Sequence, residues 1–232
     1  MAAASKTIDV EMKQDWDRFW EKLETNKGLF SRFLSFYRIF IVGRSLDYYI
    51  NRFFPEHGVF VECGAGTSET TLKTQKLFRK FVALDFSPFV LTKTKHNPQI
   101  DVCLNADIFA LPFKDNSVDG IWNVGVMEHF TKDKIAAILK EFYRVLKKDG
   151  QVILLWPMAY APYEIFINII ETVVNLLPRS KRFQFYPDEV SRLVSRRQGI
   201  SFLKAGQFQD VQLFFNFRDA FSFGVVIGRK VI

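Results

Sequence analysis

The most constraining feature of this 232-residue sequence is the stretch 59–68, where a short apolar run ends in Glu62 and two glycines follow, one residue apart. An apolar run, a Gly-x-Gly bend and then residues 69–76 without a breaker predict a strand, a tight turn and a helix. Glycine permits the turn and lets a ligand approach the backbone, and the free amides of a helix N-terminus can bind that ligand. The pattern therefore predicts a nucleotide site.

The residues around the bend narrow the class of nucleotide. A dinucleotide fingerprint needs a third small residue three positions after the second glycine, and Glu69 stands there. Glu62 at the strand end would repel a pyrophosphate but suits a cationic amino-acid moiety. The next apolar run ends in Asp85, a carboxylate placed to accept the hydroxyls of a ribose. No Gly-x-x-x-x-Gly-Lys follows a strand, which excludes a P-loop.

Five motifs in order resemble those of the class I methyltransferases that use S-adenosylmethionine. They read Val-Glu-Cys-Gly-Ala-Gly-Thr from residue 61, Ala-Leu-Asp-Phe-Ser from 83, Asn-Ala-Asp from 105 with Leu-Pro-Phe-Lys-Asp-Asn-Ser-Val-Asp from 111, Asn-Val-Gly-Val-Met-Glu-His-Phe from 123, and Glu-Phe-Tyr-Arg-Val-Leu-Lys-Lys-Asp-Gly from 141. The resemblance covers roughly residues 55–156. One departure is Ser68, where the family often has a third glycine.

The resemblance implies which residues bind the cofactor, S-adenosyl-L-methionine. They are Glu62, Gly64, Ala65, Gly66, Asp85, Phe86, Asp107, Ile108 and Asn123. In the family's pattern Glu62 holds the methionine portion, Asp85 takes the ribose and Phe86 lies beside the adenine ring.

The later strands complete the implied site. Asp107 follows the third strand and, in the family's pattern, accepts the adenine amino group, while Ile108 packs on the ring. Asn123 ends the fourth strand, where backbone carbonyls typically meet the cofactor's ammonium group. A strand-end acid often caps a helix instead, but three such acids in the right order favour a binding site.

Methyl transfer from a sulfonium is an in-line displacement, so the enzyme mainly positions and desolvates the acceptor. A general base is needed only when the acceptor starts protonated. Glu128 and His129 are the titratable pair nearest to the expected methyl position, and histidine suits proton removal near neutral pH. The pair could equally cap the following helix or belong to the core. Catalysis by position alone is the preferred interpretation, and no catalytic residue is assigned.

The fold class follows from the alternation of strands and helices through the middle of the chain. Strands are predicted near 59–63, 81–85, 100–105, 118–124 and 151–156. This alternation predicts a parallel sheet covered on both faces, with a ligand crevice at the carboxyl ends of its strands. With the resemblance, we expect an α/β, Rossmann-like sheet of seven strands, mostly parallel with an antiparallel final strand.

The flanking segments complete a single methyltransferase domain. Its expected parts are an N-terminal helical cap over 1–54, a cofactor-binding core over 55–156, a helical lid insertion over 157–200 and a closing β-hairpin over 201–232. Within them, helices are predicted over 8–23, 29–54, 135–147 with Gly150 as its cap, and 163–177, and an antiparallel pair over 208–217 and 221–229.

Aromatic residues outside the core suggest where the acceptor binds. Trp16, Trp20 and Tyr160 are the candidate acceptor contacts, although the first helix could also dock on the outside of the domain. Basic residues at Arg179, Lys181 and Arg182 follow the lid helix and could receive an acidic group of the acceptor or rest on an anionic membrane. A solvated basic face is an equally open interpretation.

Composition and charge exclude several classes of protein. Hydrophobic residues make up 48% and charged residues 25%, which excludes a disordered chain. Arginines interrupt every apolar run within 29–54, and glutamates lie within the predicted helix 163–177, which argues against a membrane span. Only two cysteines occur, so neither a disulfide framework nor a metal site is predicted. The N-terminus lacks a secretory signal, so a cytoplasmic protein is expected, with peripheral contact to an anionic membrane left open.

The predicted function is methyl transfer to a small-molecule or lipid-like acceptor. Alternatives left open are an RNA or protein methyltransferase and a catalytically silent binding protein. The net charge of +7 is compatible with nucleic acid, but no RNA-binding module or Asn-Pro-Pro-Tyr type motif supports it. The oligomeric state, the acceptor and the methylated atom are not predicted.

Overall fold

A seven-stranded sheet in the order β3-β2-β1-β4-β5-β7-β6 forms the centre of the protein. The computed structural model describes residues 7–25, 28–176, 186–215 and 217–232. The strands are β1 (His57–Cys63), β2 (Phe78–Asp85), β3 (Val102–Asn105), β4 (Val118–Val124), β5 (Leu146–Pro157), β6 (Gln209–Phe214) and β7 (Phe223–Arg229). Strands β1 to β5 pair in parallel, whereas β7 runs antiparallel to β5 and β6. The predicted fold class and closing antiparallel pair are confirmed.

Helices cover both faces of the sheet. They are α1 (Val10–Thr25), α2 (Leu29–Phe36), a π-helix (Tyr37–Val42), α3 (Gly43–Phe53), α4 (Pro88–Thr94), α5 (Lys132–Val145), α6 (Pro162–Asn175) and α7 (Arg196–Ala205). Alternate residues of each central strand point to opposite faces and form two cores. One core includes Ile138 and Phe142 of α5, and the other includes Leu46, Tyr49 and Ile50 of α3.

The strand order reverses at β1, which lies between β2 and β4. Strand β2 leads outward to β3, whereas β4 leads to β5 on the opposite side. In open parallel sheets the carboxyl ends at such a reversal leave a crevice that binds ligands. The topology therefore places the ligand crevice beside the Gly-x-Gly bend that follows β1.

The predicted helix over 69–76 is wrong. The structure has a single 3₁₀ turn at Glu69–Thr71, followed by turns up to β2. Three of these eight residues are threonines and Leu72 is the one apolar residue among them, so a helix here would have low propensity and no apolar face. Helix α3 also begins against this segment, because a Cβ on Gly43 would lie 2.8 Å from the Thr70 carbonyl oxygen.

Gly150 is not the cap of a helix, as the sequence pattern predicted. Helix α5 ends at Val145 and β5 begins at the next residue, so Gly150 lies within the strand. A Cβ at this position would lie 2.9 Å from the Lys147 carbonyl oxygen and 3.1 Å from that of Asp119. The glycine therefore permits a close approach of three backbone segments.

The long helix predicted over 29–54 is present but divided. Residues Tyr37–Val42 form a π-helix between α2 and α3, and such insertions often lie at functional sites. The predicted lid helix corresponds to α6, which has Pro162 in its first turn. Within the described ranges no helix combines the length and apolarity needed to cross a membrane. The basic residues Arg179, Lys181 and Arg182 lie outside the described residues.

Candidate functional site

A cavity lies at the carboxyl ends of β1, β2 and β4, beside the reversal of strand order. It is lined by seven of the nine residues expected to bind the cofactor, which are Glu62, Gly64, Ala65, Gly66, Asp85, Phe86 and Ile108. The other two, Asp107 and Asn123, are adjacent to lining residues but do not themselves line it. The structure therefore brings most of the predicted residues to one place.

Two glycines shape the bend after β1. Gly64 and Gly66 have φ values of +71° and +52°, which residues with a side chain rarely adopt. A Cβ on Gly64 would lie 2.7 Å from a methyl group of Val126, and one on Gly66 would lie 2.8 Å from the Trp20 ring. The amides of Gly64 and Ala65 both donate to the Leu84 carbonyl oxygen, at 2.8 and 3.0 Å. The bend thus stays close to β2 and packs tightly against Val126 and Trp20.

Glu62 stabilises the loop that follows the bend. Its carboxylate accepts hydrogen bonds from the hydroxyls of Ser68 and, at 3.0 Å, Thr71, while only 2% of the residue is exposed. Burial raises the pKa of Glu62 from 4.5 to about 7, and these two hydrogen bonds oppose the shift. The predicted contact with a methionine moiety therefore competes with hydroxyl donors from the loop itself.

Asp85 connects the bend to the end of β2. Its carboxylate accepts hydrogen bonds from the amides of Gly66 and Ser87, both at 2.9 Å. Burial raises its pKa from 3.8 to about 6, with the two amide hydrogen bonds opposing the shift. Each carboxylate oxygen can accept a second hydrogen bond, so Asp85 retains capacity for a ligand hydroxyl on the cavity side.

Asp107 makes two backbone contacts that the resemblance does not imply. Its two carboxylate oxygens accept hydrogen bonds at 3.0 Å from the amides of Ile8 and Phe109. The carboxylate therefore anchors the segment leading into α1, and its neighbour Ile108 lines the cavity instead. This contact joins residues 99 positions apart, so the strand-end pattern could not predict it.

Asn123 is fully buried at the end of β4, and neither its amide nitrogen nor its amide oxygen has a partner among the described residues. The next two residues, Val124 and Gly125, line the cavity. Gly125 has a φ of +65°, so the chain turns sharply there. A buried polar side chain without a partner usually marks a place for a ligand or an ordered water molecule.

Helix α1 covers the cavity with two of the predicted aromatic residues. Trp16 and Trp20 line it with their rings 5.9 Å apart and nearly parallel, and Ile8 and Met12 continue the same wall. Tyr160, the third predicted acceptor contact, is 74% exposed and does not line this cavity. Its place just before α6 puts it at the surface, so the structure does not bring it together with the two tryptophans.

Glu128 and His129 form the opposite wall and are 2% and 7% exposed. The His129 ring meets Trp16 edge to face at 4.9 Å, and its Nδ1 lies 2.9 Å from the Asp188 carbonyl oxygen. Its Nε2 lies 3.6 Å from a carboxylate oxygen of Glu128. Burial lowers the pKa of His129, which favours the neutral ring, and hydrogen bonding to the Asp188 carbonyl acts in the opposite direction.

Several cavity residues could not be found by sequence reasoning. Tyr37, Arg38 and Val42 line it from the π-helix, and Tyr186 and Glu189 line it from the segment before α7. A π-helix is not visible in helical periodicity, because it shifts the register of the side chains by one position. The second group lies far along the chain from any recognisable motif, so the pattern held no signal for it.

Comparison with known proteins identifies a matching domain within this chain. Residues 61–154 match the family model described as a methyltransferase domain. An "uncharacterized methyltransferase-like" protein of Schizosaccharomyces pombe is 32% identical over 103 residues, which cover 44% of this chain and 39% of that protein. The chain thus matches well under half the length of this curated relative.

Two solved structures show the fold. A Thermotoga maritima protein described as a "SAM-dependent methyltransferase, possible histamine N-methyltransferase" is 21% identical, with 91% of this chain and 99% of that chain covered and a TM-score of 0.63. Human N-acetylserotonin methyltransferase in complex with SAM is 15% identical, with 95% and 58% covered and a TM-score of 0.61.

The motif match and the fold agree with the site geometry. The matched residues 61–154 run from β1 to β5 and include the glycine bend, Asp85 and the Glu128–His129 pair. Residues 61–154 of this chain therefore match a methyltransferase domain, and the chain has the fold of the two solved methyltransferase structures.

Proposed function

We propose that this protein transfers the methyl group of S-adenosylmethionine to a small-molecule or lipid-like acceptor bound beneath helix α1. The observation that carries the proposal is the single cavity that joins two walls of different chemistry. One wall has the glycine bend and the buried carboxylate of Asp85. The other has aromatic side chains from α1 and from the segment before α7, including Trp16 and Tyr186.

The residues of the first wall fit the cofactor. Asp85 would accept a ribose hydroxyl, and the apolar side chains of Phe86 and Ile108 would enclose the adenine ring. The bend at Gly64–Gly66 would lie beside the amino-acid end, and only glycine fits there because a Cβ at either position would clash with a neighbour. The amide of buried Asn123 has no partner in the part of the chain that the structure describes, which further supports a ligand near the end of β4.

The bound cofactor supplies an activated methyl group on a sulfonium, so the chain itself needs to position the acceptor and exclude water. Trp16 and Trp20 cover the cavity, while buried His129 and Met12 complete an enclosure with little polar surface. Exclusion of water strengthens every electrostatic interaction inside the site. Proton removal by Glu128 or His129 stays a prediction, since positioning alone accounts for the reaction class.

The aromatic wall supports an acceptor with an apolar body. Trp16, Phe19 and Tyr186 form a connected set of rings, with centroids 5.2 Å apart for the first pair and 5.7 Å apart for the second. Of these rings, those of Trp16 and Tyr186 line the cavity and offer apolar surface to a ligand. Contact with an anionic membrane stays a prediction and is not needed for this proposal.

Calorimetry with S-adenosylhomocysteine, the demethylated cofactor, tests the first wall. We expect Asp85→Asn to weaken binding at least tenfold, because one acceptor of a charge-assisted hydrogen bond is lost. Asp15→Asn on the exposed face of α1 is the matched control and should bind like the wild type.

Transfer of labelled methyl groups to the small-molecule and lipid fractions of a cell extract tests the reaction. A folded wild-type protein that binds no cofactor would refute the proposal.

A further inference from the structure

Three side chains with metal-binding atoms converge on the acceptor wall of the cavity. One ligand atom from each of Glu128, His129 and Glu189 lies within 4.8 Å of the other two. All three residues line the cavity, and Glu128 and His129 are almost completely buried. We propose that these residues form a binding site for a divalent transition-metal ion, a site that the sequence did not predict.

The hydrogen bond of His129 prepares its ring for a metal. A carbonyl oxygen only accepts hydrogen bonds, so the contact between Nδ1 and the Asp188 carbonyl at 2.9 Å requires the proton to be on Nδ1. In the neutral ring, Nε2 then carries the lone pair, and this atom faces the Glu128 carboxylate at 3.6 Å. Metal-ligating histidines commonly donate their other ring N–H to a backbone carbonyl in this way.

The third ligand, Glu189, lies in the segment 186–195 before α7, which is called the strap. The backbone of this strap is hydrogen-bonded to that of Glu128, the first ligand. The amides of Val190 and Ser191 both donate to the backbone oxygen of Glu128, at 2.7 and 2.9 Å. The Ser191 hydroxyl donates to the Met127 carbonyl oxygen at 3.0 Å, and the indole N–H of Trp156 donates to that of Ser191 at 2.8 Å. Glu189 is therefore held beside Glu128 and His129 by the backbone, although it is distant in sequence.

The spacing suits zinc after rotation of the carboxylate side chains. Oxygen and nitrogen ligands lie roughly 2.0–2.2 Å from a zinc ion, so two of them in a tetrahedral site are about 3.4 Å apart. The Glu128–His129 pair, at 3.6 Å, is already near this separation, whereas a separation of 4.8 Å would have to close by about 1.4 Å. The Glu189 carboxylate is also hydrogen-bonded by the guanidinium of Arg192, which orients it and offsets part of the charge of the two carboxylates. Metal-bound carboxylates are typically supported by such an outer contact.

The donor set selects the class of ion. One imidazole and two carboxylates favour Zn²⁺, Mn²⁺ or Fe²⁺, whereas Ca²⁺ and Mg²⁺ favour oxygen ligands alone. Because His129 also contacts Trp16, the ion would lie on the acceptor side of the cavity. A Lewis acid there would polarise an oxygen of the acceptor. The site stands on its own geometry and is tested without the cofactor, so its failure would be distinguishable from failure of the proposed methyl transfer.

The test loads the tag-free protein with Zn²⁺, removes excess ion by dialysis and measures retained metal by mass spectrometry. We expect one ion per chain, with dissociation constants taken from competition with a chromophoric chelator. His129→Gln and Glu189→Gln should each weaken binding about 100-fold, while His96→Gln at an exposed histidine should not change it. Substitution by Co²⁺ should give a visible absorption spectrum that is lost in the first two variants.

Melting curves establish that each variant is folded. Wild-type protein that retains no ion, or equal retention by the wild type and the folded His129→Gln variant, would overturn the site. So would a loss in His96→Gln as large as that in His129→Gln, because it would assign the ion to surface histidines. The site could instead bind a protonated amine. In that case the wild-type protein will retain no Zn²⁺ although calorimetry still detects binding of S-adenosylhomocysteine. This result would refute the metal site but not the proposed methyl transfer.

Discussion

The carboxylate of Asp107 accepts a hydrogen bond at 3.0 Å from the backbone amide of Ile8, joining the end of the third strand to the segment that leads into α1. Ile8 is itself 5% exposed and lines the cavity. Asp107 therefore places the cover of the site, and α1 carries Trp16 and Trp20 over the glycine bend from this anchor.

Removal of this anchor should loosen the cover without unfolding the domain. Asp107→Ala deletes the acceptor for two amides, and a hydrogen bond to a charged group contributes about 1.5–3 kcal/mol. We expect amide hydrogen exchange in residues 7–25 to speed up at least tenfold, while exchange in β1 and β4 stays unchanged. Mass spectrometry of deuterated peptides measures both. Asp15→Asn is the control, and unchanged exchange in the Asp107→Ala variant would show that the anchor is dispensable.

The glycine bend and the tryptophan cover should be coupled. Gly66→Ala places a Cβ 2.8 Å from the Trp20 ring at a φ of +52°, so the variant suffers both a clash and backbone strain of about 1–2 kcal/mol. We expect it to bind S-adenosylhomocysteine at least tenfold more weakly. Adding Trp20→Ala should relieve the clash but not the strain, so the double variant should lose less free energy of unfolding than the sum of the two single changes.

Gly28→Ala is the matched control for this cycle. Gly28 has no neighbour within 4 Å of an added Cβ and an ordinary φ of −74°. Its replacement should leave both cofactor binding and the free energy of unfolding unchanged within about 0.5 kcal/mol. Strict additivity of Gly66→Ala and Trp20→Ala would contradict the contact between them.

The core of the fold was predictable because each strand carries its own signal. Apolar runs that end in Glu62, Asp85 and Asn123 mark β1, β2 and β4, and the sheet brings those ends together. Local pattern failed where tertiary contacts decide the conformation. Thr70 and Thr71 form a 3₁₀ turn because they lie between the Glu62 carboxylate and the start of α3, and neither partner is visible in the residues 69–76.

The sequence pointed to part of each wall of the cavity, including Trp16 and Trp20 of α1. The glycine bend and Asp85 are adjacent to strand ends, where the chemistry can be read from spacing. The role of Asp107 toward the adenine stays a prediction, and its contact with the amide of Ile8, 99 positions away, could not be read from spacing. Arg38 lines the cavity from the π-helix, and Glu189 lines it from the segment before α7. No periodic pattern in the sequence encodes either element. These parts of the cavity lining therefore depend on packing that a single sequence does not specify.

The buried carboxylate of Glu62 should make stability depend on pH. Its pKa is raised from 4.5 to about 7 in the folded state, so the folded protein binds more protons than the unfolded chain between these values. The free energy of unfolding should therefore fall as pH rises through this window, by on the order of 3 kcal/mol from this group, and stay flat above it. Asp85, whose pKa is raised from 3.8 to about 6, acts in the same direction at lower pH.

Urea unfolding of the Glu62→Gln variant isolates this contribution. Glutamine cannot ionise, so the difference in free energy of unfolding between wild type and variant should shift in favour of the variant as pH rises from 5 to 8. Glu11→Gln, at an exposed position in the first turn of α1, is the control and should give a constant difference. A constant difference for Glu62→Gln as well would mean that the carboxylate stays ionised in the folded protein throughout this range.

The sequence analysis named both Trp20 and Tyr160 as candidate acceptor contacts. Their positions in the structure predict different effects on cofactor binding when each is replaced by alanine. Trp20 lines the cavity against Gly66 and lies 6.0 Å from the Arg38 guanidinium, whereas Tyr160 is 74% exposed and away from the cavity. Trp20→Ala should weaken binding of S-adenosylhomocysteine about tenfold, because it opens the cover to water, and Tyr160→Ala should change it less than twofold. Calorimetry measures both, and an equal loss in the two variants would place the cofactor outside this cavity.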